Sequence, residues 1–149
     1  MMKTQSLIFV IFVIFLITKM LHSQDCNNYY QHKCEKSRKL GYSIHPKSQN
    51  NMLSYRDTLE VTLTLIAGKD YKVSYCTEKN LSGLINLQIY DQQKRLFFES
   101  FENHDSEIEF TVKKDQLLHI MMFLTQPVEK EKICTGLLIE YMITPKTGF

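Results

Sequence analysis

Apolar residues recur at every second position from Leu59 to near the end of the chain, and that period leaves little choice of fold. Successive side chains of a strand point to opposite faces, so a period of two marks one buried face, whereas a helix needs spacings of three and four. The stretch Asp57 to Cys76, DTLEVTLTLIAGKDYKVSYC, shows the period most clearly. Leu59, Val61, Leu63 and Leu65 alternate with Glu60, Thr62 and Thr64. Val and Thr are stiff at χ1 and suit a pleated surface. Ala67-Gly68-Lys69-Asp70 then breaks the run, with glycine free to take positive φ. Tyr71, Val73 and Tyr75 resume the alternation. The spacing predicts a β-hairpin, with two strands paired across the glycine turn and their apolar rows in the core.

The same period continues downstream. Ile85, Leu87 and Ile89 form one strand, and the hairpin-length connection Asp91–Lys94 leads into Leu96 and Phe98. Ile108, Phe110 and Val112 form another, and Thr135 to Ile143 a last one with Leu137, Ile139, Tyr141 and Ile143 on one face. Leu117 to Leu124 is apolar on both faces apart from His119, which predicts a strand covered on both sides. There are seven or eight strands, with turn signals about every 8–12 residues and no convincing helix after the leader. Together they predict an all-β fold, an antiparallel β-sandwich or jelly roll.

The N-terminus reads as delivery. Lys3 precedes an unbroken apolar run from Leu7 to Ile17, ended by Lys19 and His22. The run is shorter than the roughly 20 residues of a membrane span. Residues 1–23 are therefore expected to be a secretory signal peptide cleaved after Ser23. Residues 24–51 form a polar lead-in and residues 52–149 the sandwich domain, with no membrane span in the mature chain. Cleavage removes Lys3 and Lys19, so the 18 basic residues become 16, matching the 16 acidic ones. A neutral domain lacks the basic surface that nucleic acid requires.

All four cysteines, Cys26, Cys34, Cys76 and Cys134, follow the leader. An even number in an exported chain implies disulfides, and three pairings are open. Cys26–Cys34 with Cys76–Cys134 is favoured, because the first two are close in sequence and the others sit at strand ends. Cys26 is not read as a lipid-attachment site, since no small residue stands directly before it. His32 beside Cys34 fits no zinc spacing, and oxidised cysteines cannot ligate metal.

Catalytic signatures are missing. His32, His45, His104 and His119 lie outside any nucleophile motif, and there is no phosphate loop or dinucleotide fingerprint. The expectation is a non-enzymatic chain without cofactor, the alternative being a small secreted hydrolase using His104 or His119. Glu99, Glu102, Asp105, Glu107 and Glu109 could gather around calcium, yet they do not match the Asp-x-Asp-x-Asp-Gly loop. Asn80-Leu81-Ser82 is an N-glycosylation acceptor in a eukaryotic host. Tyr29, Tyr30, Tyr42, Tyr55, Tyr90 and Phe97 are aromatics that periodicity does not force inward. Exposed aromatics on a sandwich stack on sugar rings or pack against a partner.

The series LIAGKDYKVSYC, INLQIYD, IEFTV and CTGLLIEYM, within a match that covers roughly Leu59 to Met142, resembles uncharacterised exported β-sandwich proteins of Bacteroidetes-type bacteria. It also resembles the pre-peptidase C-terminal (PPC) domain, a jelly roll appended to secreted bacterial peptidases. The resemblance implies a non-catalytic module of a kind that, in some secreted enzymes, binds polymeric substrate or assists secretion. It brings no binding residues with it. The expected function is an exported, periplasmic or secreted, module that binds a protein or polysaccharide at the cell envelope. A structural component that assembles with itself is a further alternative.

Overall fold

The computed structural model describes residues 26–103 and 105–145. The signal-peptide reading of residues 1–23 lies outside them. Among the described residues, nine strands form two antiparallel sheets. In chain order these are β1 (Ser43–Ile44), β2 (Gln49–Leu53), β3 (Thr58–Leu65), β4 (Lys69–Cys76), β5 (Ile85–Tyr90), β6 (Leu96–Glu99), β7 (Glu107–Val112), β8 (Gln116–Leu124) and β9 (Ile133–Ile143). The first sheet runs β1–β9–β4–β7, with β2 also paired to β9, and the second runs β3–β8–β5–β6. Three short helical stretches interrupt the strands, although the periodicity predicts none that is convincing. They are α1 (Tyr29–Lys33), a 3₁₀ turn (Lys79–Leu84) and α2 (Ser100–Asn103).

The alternation selects the core. Val61, Leu63 and Leu65 of β3, Tyr71 and Val73 of β4, Ile85, Leu87 and Ile89 of β5, and Leu118, Ile120 and Met122 of β8 are all buried between the sheets. Each such aliphatic side chain contributes about 1.5–3 kcal/mol by leaving water.

β3 and β4 are not a hairpin. β3 pairs only with β8, and β4 lies between β7 and β9 in the other sheet. The turn between them is a corner that crosses the sandwich. Gly68 sits there at φ 76°; its N–H donates to the Val112 carbonyl (2.8 Å) and its carbonyl accepts from the Thr144 N–H (2.9 Å). The Ala67 N–H donates to Asp115 (2.7 Å). Alternation cannot tell a hairpin from a corner, because both put one apolar row of each strand inward. The connection β5–β6 is a true hairpin. Asp91 holds it by accepting from the N–H groups of Gln93 and Arg95, both at 2.9 Å, and Lys94 takes φ 60°.

The strand covered on both sides is β9, not β8. Ile133 to Glu140 is buried at every position, whereas β8 alternates between buried and half-buried. The cover on β9 is the lead-in. α1 lies across the outer face of β9, where Gly136 leaves room for it. A Cβ at Gly136 would stand 2.8 Å from both Tyr30 Cα and Tyr30 Cβ, and 2.9 Å from Cys34 Sγ. Glycine inside a strand often marks such a close approach. The Tyr30 N–H donates to Asn50 Oδ1 (2.6 Å), tying α1 to β2.

The disulfides run from the lead-in to the sheet: Cys26–Cys134 and Cys34–Cys76, with Cα separations of 5.5 and 5.0 Å. The favoured pairing Cys26–Cys34 with Cys76–Cys134 is thereby overturned, and the β4–β9 register explains why. Cys76 faces Gly136, so Cys134 is two residues out of register. Diagonal neighbours of that kind lie about 7–8 Å apart, beyond the reach of a disulfide. Both cysteines point to the outer face, where α1 brings a partner to each.

The lead-in also completes the sheet. β1 and β2 flank the same edge of β9, interrupted at Pro46. Ile139, opposite the gap, is satisfied by other groups. Its N–H donates to Ser48 Oγ (2.9 Å), and its carbonyl accepts from the Ser48 hydroxyl (3.0 Å) and the His45 N–H (2.8 Å).

Candidate functional site

The two outer faces of the sandwich have different fates. Under the lead-in, the first sheet carries a polar layer. Glu140, 3% exposed, accepts from the Ser37 N–H at 2.9 and 3.2 Å and lies opposite Lys72 in the β4–β9 register. Lys72, itself buried, pairs with Glu107 at 2.8 Å. Glu109 accepts from Lys39 and from the Tyr42 hydroxyl (2.9 Å). The Lys39 bond is the largest influence on Glu109 and holds its carboxyl below the usual range. Burial, and then the bond to Glu109, push the Tyr42 phenol up. Over β9 this face is covered by structural contacts, and toward β7 the acids Glu107 and Glu109 are held in ion pairs at the surface.

The outer face of the second sheet is open, and register arranges its side chains in rows. One row is Glu60, Met121, Gln88 and Glu99; the next is Thr62, His119 and Tyr90. The Tyr90 hydroxyl donates to Gln88 Oε1 (2.9 Å), and Gln88 Nε2 donates onward to Glu99. Asn86 Nδ2 also donates to Glu99 (2.7 Å). Gln88 first, then Asn86, keep the Glu99 carboxyl below its ordinary range. Thr62 Oγ1 lies 3.4 Å from His119 Nδ1. Beside these rows is a cleft of about 350 Å³, lined by Glu60, Thr62, Tyr90, Lys94, His119 and Met121 with the edges of Val61 and Ile120. An acid, an imidazole, a phenol ring and a thioether thus meet on a rigid sheet, with the Lys94 ammonium on the adjoining β5–β6 turn.

Two other hollows are less suited to a ligand. One, of about 390 Å³, lies among Tyr75, Ser82, Ser100, Phe101 and Ser106. Its Tyr75 hydroxyl is committed to the Ser82 carbonyl (3.1 Å), and Ser100 Oγ to the Leu87 N–H (2.8 Å). The other, of about 280 Å³, lies between the loops of Tyr55 and Val128.

The residues singled out from sequence are dispersed. His119 and Tyr90 are in the cleft, and His104 is outside the described residues. Tyr30 packs over Gly136 and Tyr42 bonds Glu109. Phe97 meets Phe110 edge-on at 5.2 Å, and Tyr55 stands exposed on another loop. Three of the acids considered for calcium, Glu99, Glu107 and Glu109, do not converge. Glu99 faces out from the second sheet, whereas Glu107 and Glu109 face out from the first and are ion-paired there. Among the described residues no group of three or more His, Cys, Asp or Glu could hold a metal ion. Glu60 and Thr62 were not singled out as site residues, because only strand pairing brings them beside His119; Lys94 arrives on the β5–β6 turn, and Met121 lies two residues along β8 on the same face.

The chemistry open to Thr62 and His119 is limited by their place. Strand N–H groups lie in the plane of the sheet, across the side-chain direction, and β8 is paired on both sides. Backbone donors therefore do not point at a group bound on this face, so they supply no oxyanion hole.

No family model and no curated protein matches the chain. Among solved structures it is similar to PliG of Aeromonas hydrophila, a periplasmic lysozyme inhibitor of g-type lysozyme. The TM-score is 0.47 at 10% identity, covering 72% of this chain and 92% of that one.

Proposed function

We propose that the protein is an exported, non-catalytic β-sandwich that binds a protein or polysaccharide at the cell envelope through the open face of its second sheet. The observation that carries this is the cleft beside Tyr90 and His119, built from three adjacent strands on the face the lead-in leaves bare. Strand-borne side chains are held more firmly than loop-borne ones, which favours recognition without rearrangement. Tyr90 offers a ring for stacking, and Glu60, Lys94 and His119 offer both signs of charge and both kinds of hydrogen bond. Export is supported by the leader-like N-terminus and by two disulfides, which persist in oxidising compartments. We also take the PPC-like resemblance as part of this proposal.

The test is a glycan array together with a pull-down from envelope extract, each run with the wild type and with Tyr90→Ala. Wild-type capture that falls about tenfold or more in Tyr90→Ala is expected, as for loss of a central aromatic contact. Two empty screens, or capture indifferent to Tyr90→Ala, would remove the proposal.

A further inference from the structure

β3 is a long, regular sheet edge. It pairs with β8 at all eight positions from Thr58 to Leu65 without a bulge, and on its other side no strand lies beside it among the described residues. No turn or loop hydrogen bond found among those residues reaches its backbone. The other edges are shorter or blunted. β1 and β2, of two and five residues, share one edge that is broken at Pro46, β6 has four residues and a register shift, and β7 presents the paired acids Glu107 and Glu109. β3 has no Pro, no Lys and one charge, Glu60. Such an edge offers a row of free N–H and C=O groups as a template for another strand.

We propose that this edge pairs antiparallel with β3 of a second copy, about a twofold axis, so that the second sheets of the two copies become one. The pattern of β3 selects its own copy as occupant. Pairing that keeps the apolar row on the core side requires the axis to pass through a residue, so that like faces meet. With the axis at Val61, Glu60 faces the partner's Thr62, and Leu59 the partner's Leu63. With the axis at Thr62, Glu60 faces the partner's Thr64. With the axis at Leu63, Thr62 faces the partner's Thr64, and Val61 the partner's Leu65. In none of the three does Glu60 face Glu60, and Thr–Thr and aliphatic pairs are favourable cross-strand neighbours. The mature charge balance of 16 basic and 16 acidic residues adds no net repulsion between copies.

The test is solution mass by light scattering behind a sizing column, from about 10 μM to about 1 mM mature chain, concentrations that bracket weak association. Wild-type protein is expected at twice the mass of one chain, falling toward one on dilution. Thr62→Glu with Thr64→Glu places like charges opposite each other in all three registers. Both side chains are exposed in the single chain, so its melting midpoint should not move, while its dimer dissociation constant rises about tenfold or more. Thr111→Glu, which adds one charge at the exposed β7 edge, should leave the dimer intact. A wild type with the mass of one chain throughout overturns the proposal. So does a dimer that survives the double substitution, or one that Thr111→Glu abolishes.

Discussion

Replacing Gly136 by alanine tests how the lead-in is held. The new methyl would sit 2.8 Å from the Tyr30 backbone and 2.9 Å from Cys34 Sγ. Carbon atoms rest about 3.5–4.0 Å apart, so α1 would have to lift by about 1 Å. It is poorly placed to do so, because Cys26–Cys134 and Cys34–Cys76 tie both of its ends to the sheet. Overpacking of this kind costs about 1–3 kcal/mol, and the strain on two crosslinks favours the upper half of that range. Alanine returns about 0.5–1 kcal/mol through its lower chain entropy, so a net loss of about 1–2.5 kcal/mol remains. For a chain of this length, that is a fall of about 3–8 °C in melting midpoint, readable by calorimetry or circular dichroism. The same substitution in a background with all four cysteines changed to serine should cost far less, since α1 can then move. A Gly136→Ala protein that melts within about 2 °C of wild type, or a cost equal in both backgrounds, would refute this account of the packing.

Peptide mapping under non-reducing conditions should recover Cys26 joined to Cys134 and Cys34 joined to Cys76. In the chain-entropy account, Cys34→Ser with Cys76→Ser should cost about 4 kcal/mol, and Cys26→Ser with Cys134→Ser about 5, for separations of 42 and 108 residues. One closed loop lies inside the other, so removing both should cost less than the sum, measured by urea unfolding. Glu140→Ala leaves the Ser37 N–H without its acceptor under the lead-in and should cost about 1–3 kcal/mol, with Glu140→Gln milder, by the same assay. The Glu99 and Glu109 carboxyls are held low in the fold, so their contribution is complete above the unfolded value of about 4.3 and is lost as pH falls through the folded values. The urea midpoint should therefore drop between about pH 5 and pH 3, and less steeply once both are changed to glutamine.

Alternation alone was enough to mark Val61, Leu63, Ile89 and Ile120 as core, because side-chain direction along a strand is a local matter. It was enough for the β5–β6 hairpin as well, where Asp91 closes a short turn using its own neighbours. It failed at β3 and β4, since the same rows serve a strand beside its neighbour or a strand facing it across the core. It failed for β9 too: Gly136 was the one local sign that another segment comes close, and it does not say which segment. Likewise Tyr90 and His119 stood out as residues, but nothing in the chain order puts Glu60 and Thr62 next to them.

In this protein the sequence by itself determined which row of each strand faces the core, that the chain is built of strands, and that four sulfurs are on hand to join. Which strands are neighbours, which sulfur meets which, and which outer face stays bare were decided only when the two sheets closed on each other and the lead-in lay across one of them. Those outcomes depend on contacts between residues far apart along the chain, and the order of residues carries no direct record of them.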